Sequence, residues 1–172
     1  MQPRTYLPAL VLALTVGGTV VLLASDDESG EGNLMPQPVN AKWQAECGSC
    51  HVAYPPALLP ERSWRKMMAG LKDHFGDDAS LDAATAREIA DYLAAHSAEK
   101  GVTDVGRKVA RASPDGAVPL RITQTRWFRH EHDDVGSDVW KRQSVRSPAN
   151  CGACHRDADK GLYSEDSVKI PR

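Results

Sequence analysis

The sequence predicts a mainly α-helical protein with a helical N-terminal unit and a small, irregular C-terminal unit. Proline and glycine residues interrupt the chain at short intervals, and no βαβ pattern is visible. The clearest helical signal is a group of apolar residues at i, i+3, i+4 and i+7 spacing, which is one face of a helix. This group is Trp64, Met67, Met68 and Leu71.

The first predicted unit covers residues 40–100 and contains three candidate helices. The first spans Trp43–Val52 and is ended by a proline pair. Ser63 is a candidate N-cap for the second, which ends at Gly76. The third runs over Leu81–His96. Its inward-facing residues are expected to be Ile89, Tyr92 and Leu93.

The second predicted unit covers residues 101–172 and matches no standard fold. Val118–Thr123 is a candidate extended piece, and Trp127–Asp133 and Asp138–Arg142 are candidate short helices. Asn150 is a candidate N-cap for the turn that follows it. The polar C-terminal tail, which ends at Arg172, is expected to be extended. This half therefore needs something besides its own side chains to hold it together.

The composition also indicates that the chain needs something besides its own side chains to stabilise its cores. The net charge of −2 is too small to indicate a nucleic-acid partner. The chain has only two phenylalanines, so its apolar content is thin for two small cores. Domains below about 70 residues usually rely on a disulfide, a metal or a cofactor.

The four cysteines indicate which of these applies. They form two pairs at C-x-x-C spacing, and a histidine follows each pair directly. The sets are Cys47, Cys50 and His51, and Cys151, Cys154 and His155. C-x-x-C-H is the attachment pattern of c-type haem, in which both thiols form thioethers and the histidine becomes the proximal iron ligand. The sequence therefore predicts two covalently attached haems.

Two other interpretations of the cysteines are weaker. A thioredoxin-like dithiol should follow a strand in a βαβ pattern, which is missing here. A single Cys₄ zinc site could use all four thiols, but it would leave both following histidines unexplained.

The N-terminus agrees with haem attachment outside the cytoplasm. Arg4 precedes an apolar run, Leu7–Ala24, and acidic residues follow it, which places the rest of the chain outside a bacterial inner membrane. The run has 18 residues, just enough to cross a bilayer. We expect residues 1–24 to be a signal-anchor, with a cleaved signal peptide and a soluble periplasmic protein as the alternative. Residues 25–39 are expected to be a flexible linker.

Short motifs in both halves resemble the dihaem cytochrome c family of proteobacteria. They are Glu46–His51, Ala53–Pro56, Leu58–Pro60, Ser63–Trp64, Met67–Met68, His74–Gly76, Arg121–Thr123, Trp127–Phe128, Glu131–His132 and Ser147–Cys151. The resemblance implies a class I cytochrome c-like N-terminal domain, an unusual C-terminal haem domain and bis-histidine ligation of both irons. It also implies redox partners such as a b-type membrane cytochrome or a small oxygen-binding haem protein.

The sixth iron ligand of the first unit has several candidates. His74 lies in the loop before the last helix, where a class I fold presents this ligand. His96 ends an amphipathic helix, where a cation suits the helix dipole without any metal. Met67 and Met68 belong to the apolar stripe and are more simply core residues. We expect His74 to be the ligand, with His96 as the main alternative.

In the second unit, only His130 and His132 remain, unless His96 crosses over. They are two residues apart, so on a helix only one of them can face the iron. The family resemblance around Trp127 and Glu131 favours His132.

This ligand supply favours an electron carrier over an enzyme. Histidines are available for both irons, whereas a haem enzyme or gas-binding protein needs an iron with an open position. The sequence therefore predicts a two-haem c-type cytochrome that transfers electrons by an outer-sphere route, with an open-site haem protein as the alternative.

Overall fold

The computed structural model describes residues 32–172. The predicted membrane segment over 1–24 and the first part of the predicted linker lie outside these residues. The described chain contains α-helices and short 3₁₀ turns, and no β-strand is found within it. No helix in this range is long and apolar enough to cross a membrane. The prediction of a mainly α fold is confirmed.

Five α-helices follow one another along the described chain. They are α1 (Ala41–Cys47), α2 (Glu61–Ala69), α3 (Ala83–Ala95), α4 (Asp104–Ala112) and α5 (Arg126–Glu131). Most begin at a side chain that accepts a hydrogen bond from an otherwise unpaired N–H of the first turn. These N-caps are Asn40 for α1, Asp82 for α3, Thr103 for α4 and Thr125 for α5.

The predicted start of α2 at Ser63 is wrong. Pro60 occupies the N-cap position, and its carbonyl accepts from the N–H groups of Ser63 and Trp64. Ser63 lies inside the helix and is fully buried. The helix also ends earlier than predicted, at Gly70, because a 3₁₀ turn over Leu71–Asp73 replaces its last part. This early end releases the segment that carries His74.

Sequence reasoning missed α4. Thr103 caps it, and Val105 and Val109 lie one turn apart on the same face, which is a helical signal. Both valines are buried against two 3₁₀ turns of the N-terminal half, Pro56–Leu58 and Ala98–Lys100. This packing joins the two halves directly.

The irregular C-terminal half is largely as expected. The predicted helix over Trp127–Asp133 corresponds to α5, and the one over Asp138–Arg142 is a 3₁₀ turn, Val139–Lys141. Asn150 does not cap with its side chain, because its amide donates to the carbonyl of Val145 at 3.0 Å. The polar tail contains one 3₁₀ turn, Glu165–Ser167, and residues 168–172 form no regular element.

One continuous core crosses the predicted boundary at residue 101. Trp43, Ile89 and Leu93 of the N-terminal half pack in the same cluster as Val109 and Phe128 of the C-terminal half. The division into residues 40–100 and 101–172 therefore stays a prediction. The two segments carry one cysteine pair each, but they share a single buried core.

The core also includes the end of the predicted linker. Leu34 and Met35 are buried, and the N–H of Leu34 donates to the carbonyl of Gly161 at 2.9 Å. Gly161 has φ +78°, and a Cβ there would lie 2.4 Å from Met35 Cγ and 2.9 Å from its N. Residues 34 and 35 are thus fixed against the C-terminal half.

Gly161→Ala is expected to lower the free energy of unfolding by more than the roughly 1–2 kcal/mol that left-handed backbone costs a non-glycine residue. The added methyl group also collides with Met35. Gly116→Ala is the matched control, because Gly116 has φ +76° but no neighbour within 4 Å of the added Cβ. Chemical denaturation of the two variants separates the steric cost from the backbone cost. Equal losses would show that the contact at Met35 is loose.

Candidate haem sites

The first C-x-x-C-H motif opens onto a cavity of 740 Å³. Cys47 is the last residue of α1, and Cys50 and His51 follow in the next turn. The cavity walls are mainly apolar side chains from α1, α2, α3 and the C-terminal half. They include Trp43, Leu59, Trp64, Met67, Met68, Leu71, Leu93, Ile122 and Phe128.

Two histidine rings face each other across this cavity. The ring centres of His51 and His74 are 6.2 Å apart, and their planes differ by 25°. His51 Nδ1 lies 2.7 Å from the carbonyl of Val52. A proton on that nitrogen leaves Nε2 of His51 with the lone pair that a metal needs.

A tight turn holds His74 in place. The N–H of His74 donates to the carbonyl of Asp77 at 2.8 Å, and the two residues between them have φ +61° (Phe75) and +107° (Gly76). Left-handed backbone is costly for phenylalanine, so neighbouring contacts must hold this turn. The Phe75 ring lies 4.9 Å from the His74 ring, and the Arg121 guanidinium lies 3.8 Å from the Phe75 ring centre.

The second motif borders a cavity of 530 Å³. A 3₁₀ turn over Cys151–Ala153 carries it, and the N–H of His155 donates to the carbonyl of Cys151 at 2.8 Å. This hydrogen bond places the histidine one turn beyond the first cysteine. The walls come from both halves and include Leu34, Leu58, Val105, Ile122, Trp127, Phe128, Trp140 and Tyr163.

A second histidine pair spans this cavity. The ring centres of His132 and His155 are also 6.2 Å apart, but their planes differ by 71°. His132 ends α5, and its Nδ1 lies 2.9 Å from the carbonyl of Phe128. A proton on Nδ1 in this contact orients the ring and leaves Nε2 of His132 with the lone pair that a metal needs. Phe128 stacks on His132 at 4.1 Å and restricts the ring further.

The alternative ligands lie elsewhere or face away. His96 packs on Tyr92, with its Nδ1 2.8 Å from the carbonyl of that residue, and it lines neither cavity. His130 borders the second cavity, but its side chain is 81% exposed beside Asp133. Met67 and Met68 line the first cavity as part of its apolar wall.

Burial shifts the pKa of several site residues. It lowers the pKa of His74, with His51 as a second cause, and it lowers the pKa of His155, with His132 as a second cause. Both rings are therefore held neutral, the form that binds a metal. Burial also raises the pKa of Cys47 and of Cys151 to about 11, so both are thiols at neutral pH.

Haem fits these cavities. A metal bound by both rings at about 2.0 Å, with roughly 1 Å from each nitrogen to its ring centre, separates the centres by about 6 Å. Both volumes lie within the roughly 300–1,000 Å³ of pockets that enclose a cofactor-sized ligand. His74 Nδ1, His155 Nδ1 and Trp127 Nε1 are buried on the cavity walls and have no partner among residues 32–172.

The two cavities adjoin. Ile122, Phe128 and Cys151 line both of them. Val52, next to His51, also lies against the second motif, since a Cβ on Gly152 would be 3.8 Å from Val52 Cγ2. The two attachment motifs thus lie close to each other in the fold, although about one hundred residues separate them in the sequence.

Sequence reasoning placed the cysteines and histidines but missed how they are supported. The left-handed backbone at Phe75 gives no sequence signal, although the glycine after it indicates a turn. No sequence pattern indicated that the Arg121 guanidinium lies over the Phe75 ring. The hydrogen bond of Tyr54 to the carbonyl of Ala149 at 2.7 Å also had no sequence signal.

Two thiol pairs, each followed by a histidine that faces a second histidine across an apolar cavity, define a c-type haem protein with two sites. Comparison with known proteins gives the same class. The model of the family described as "Dihaem cytochrome c" matches residues 43–163. The chain belongs to this family, and its cofactors are two covalently bound c-type haems with iron. No protein with a curated description matches the chain.

Solved structures agree with the family match. The diheme cytochrome c from Rhodobacter sphaeroides is 42% identical over 72% of this chain and 96% of its own, with a TM-score of 0.65. A diheme cytochrome type c from Shewanella baltica OS155 is 38% identical over 80% of this chain and 95% of its own, with a TM-score of 0.64.

Each cysteine pair is expected to hold one haem independently of the other. The mature protein should exceed the mass of its polypeptide by two haems. Replacing Cys151 and Cys154 together by alanine should remove one of them, and the matched replacement of Cys47 and Cys50 should remove the other. Mass spectrometry and the absorbance of the reduced haem measure this count. A wild-type protein with one haem or none would contradict it.

Proposed function

We propose that the protein carries electrons by outer-sphere transfer, with one iron held by His51 and His74 and the other by His132 and His155. One observation supports this above all others. In both cavities, the histidine of the attachment motif faces a second histidine at the separation that a shared metal requires.

The side chains of this chain have three tasks in such a carrier. His51 with His74, and His132 with His155, would each hold one haem iron through their imidazole nitrogens. The largely apolar walls would pack against the bound group. The backbone carbonyls of Val52 and Phe128 orient His51 and His132 and fix the nitrogen that faces the metal. The bound haem supplies the reversible one-electron change of its iron.

Coordinative saturation separates this proposal from its alternative. A haem enzyme or gas-binding protein needs one iron with an open position for its substrate or gas. In each cavity, a second histidine faces the histidine of the attachment motif. An iron held by both histidines would have no open position, so the haem would supply electron transfer alone.

The adjoining cavities support transfer within the molecule. A shared wall of Ile122, Phe128 and Cys151 keeps the two groups close, so an electron that enters at one can leave at the other. The first attachment loop is exposed at Gly48–Cys50, where a docked partner can approach. Proposed partners are a b-type membrane cytochrome or a small oxygen-binding haem protein.

The proposed location is the periplasmic side of the inner membrane, with the apolar segment Leu7–Ala24 as an N-terminal anchor. The charge distribution around this segment supports it.

His74→Ala and His132→Ala are each expected to convert one haem from low-spin to high-spin and let it bind carbon monoxide, because each removes one axial ligand. His96→Ala and His130→Ala are the matched controls and should leave both haems low-spin. Absorbance with and without carbon monoxide measures this.

Both wild-type haems should also have reduction potentials below that of a methionine-ligated cytochrome c, since methionine ligation raises the potential. Wild-type protein that binds carbon monoxide readily at one haem would favour the open-site alternative. An iron opened by His96→Ala or His130→Ala would show that the ligand assignment fails.

The location is checked separately. Native protein is expected to stay with the membrane fraction after washing with salt and to be released by detergent, because the 18-residue apolar run spans a bilayer. N-terminal sequencing of the released protein should begin before Leu7. A mature chain that begins near Ser25 and needs no detergent would identify the segment as a signal peptide.

A further inference from the structure

Tyr54 contacts both haem-attachment segments. Its ring stacks on the ring of His51, with the centres 4.6 Å apart and the planes 21° from parallel. Its hydroxyl donates to the carbonyl of Ala149 at 2.7 Å. Ala149 lies two residues before Cys151, the first thiol of the other motif. One half-buried side chain thus bridges positions 95 residues apart in the sequence.

Both ends of this bridge are rigid. On the Tyr54 side, the next residues are a buried proline pair, and the Trp64 indole N–H donates to the carbonyl of Pro56 at 2.8 Å. On the other side, Asn150 donates from its side chain to the carbonyl of Val145 at 3.0 Å. Movement of one attachment segment relative to the other therefore requires the Tyr54 hydrogen bond to break.

We propose that Tyr54 is a positioning residue for electron transfer between the two haems, because it connects the proximal ligand of one to the thioether segment of the other. The route is short: ring contact from His51 to Tyr54, one hydrogen bond to Ala149, then the backbone to Cys151. This inference rests on the proposed electron-carrier function.

The redox balance is simple. One electron leaves one iron, which goes from ferrous to ferric, and reaches the other iron, which goes from ferric to ferrous. Tyr54 is neither oxidised nor reduced and keeps its proton. Its hydroxyl fixes the distance between the two attachment segments. The hydrogen bond to Ala149 replaces a through-space step between them.

Tyr54→Phe tests the hydrogen bond, since it keeps the ring stacked on His51 and removes only the hydroxyl. The variant is expected to keep two low-spin haems and to exchange electrons between them severalfold more slowly. NMR exchange between the haem methyl signals of half-reduced protein measures this rate. Amide hydrogen exchange at Asn150 and Cys151 should be about fivefold faster, which corresponds to the roughly 1 kcal/mol of one hydrogen bond.

Tyr92→Phe is the matched control. Tyr92 is a half-buried tyrosine of the same half, its hydroxyl has no partner among residues 32–172, and it lines neither cavity. Its variant should keep the wild-type inter-haem rate. Tyr54→Leu, which also removes the aromatic contact, should slow the rate more than Tyr54→Phe.

The outcomes separate this inference from the proposed function. An unchanged inter-haem rate in Tyr54→Phe and Tyr54→Leu, with both haems intact, overturns the role of Tyr54 and leaves the carrier function standing. A loss of stability in Tyr54→Phe without a slower rate overturns it equally. Wild-type protein with an open iron overturns the carrier function itself, whatever the Tyr54 variants do.

Discussion

The rest of this small protein depends on one constraint: two imidazole rings must face each other across each cavity. A separation of 6.2 Å between ring centres recurs in both halves, although the elements that supply the rings differ. In the N-terminal half, a strained turn at Phe75 presents His74. In the C-terminal half, the end of a short helix presents His132. Different local structures thus meet the same geometric requirement.

The cavities also explain why so little regular structure is sufficient. The described chain has short helices joined by 3₁₀ turns, and its C-terminal half would bury few apolar residues by itself. Small domains of this kind usually need a cofactor to complete the core. Here, the walls of both cavities are largely apolar and are drawn from both halves, so each covalently bound group completes a core that the two halves share.

The two sites have different surroundings, which makes them chemically distinct. The imidazole planes differ by 25° in the first pair and by 71° in the second. Under the proposed bis-histidine ligation, the two irons would therefore be held by differently oriented imidazole planes. Arg121 also places a positive charge at the first cavity, which is otherwise bordered by acidic residues such as Asp77 and Asp78.

The sequence alone determined the chemistry that depends on neighbouring residues. Cysteine pairs followed by histidine are local patterns, and so are the inward-facing Ile89 and Leu93 of α3. The start of α2 was misjudged because Pro60 supplies a backbone carbonyl where a side-chain cap at Ser63 was expected.

Only the tertiary structure decided which histidines face each other and that the two attachment motifs lie close together. The sequence favoured His74 over His96 as the second ligand of the first iron. In the structure, only His74 faces His51. The contact of Tyr54 with Ala149 spans 95 residues. Such long-range contacts depend on how the whole core packs, and no pattern of neighbouring residues encodes that packing.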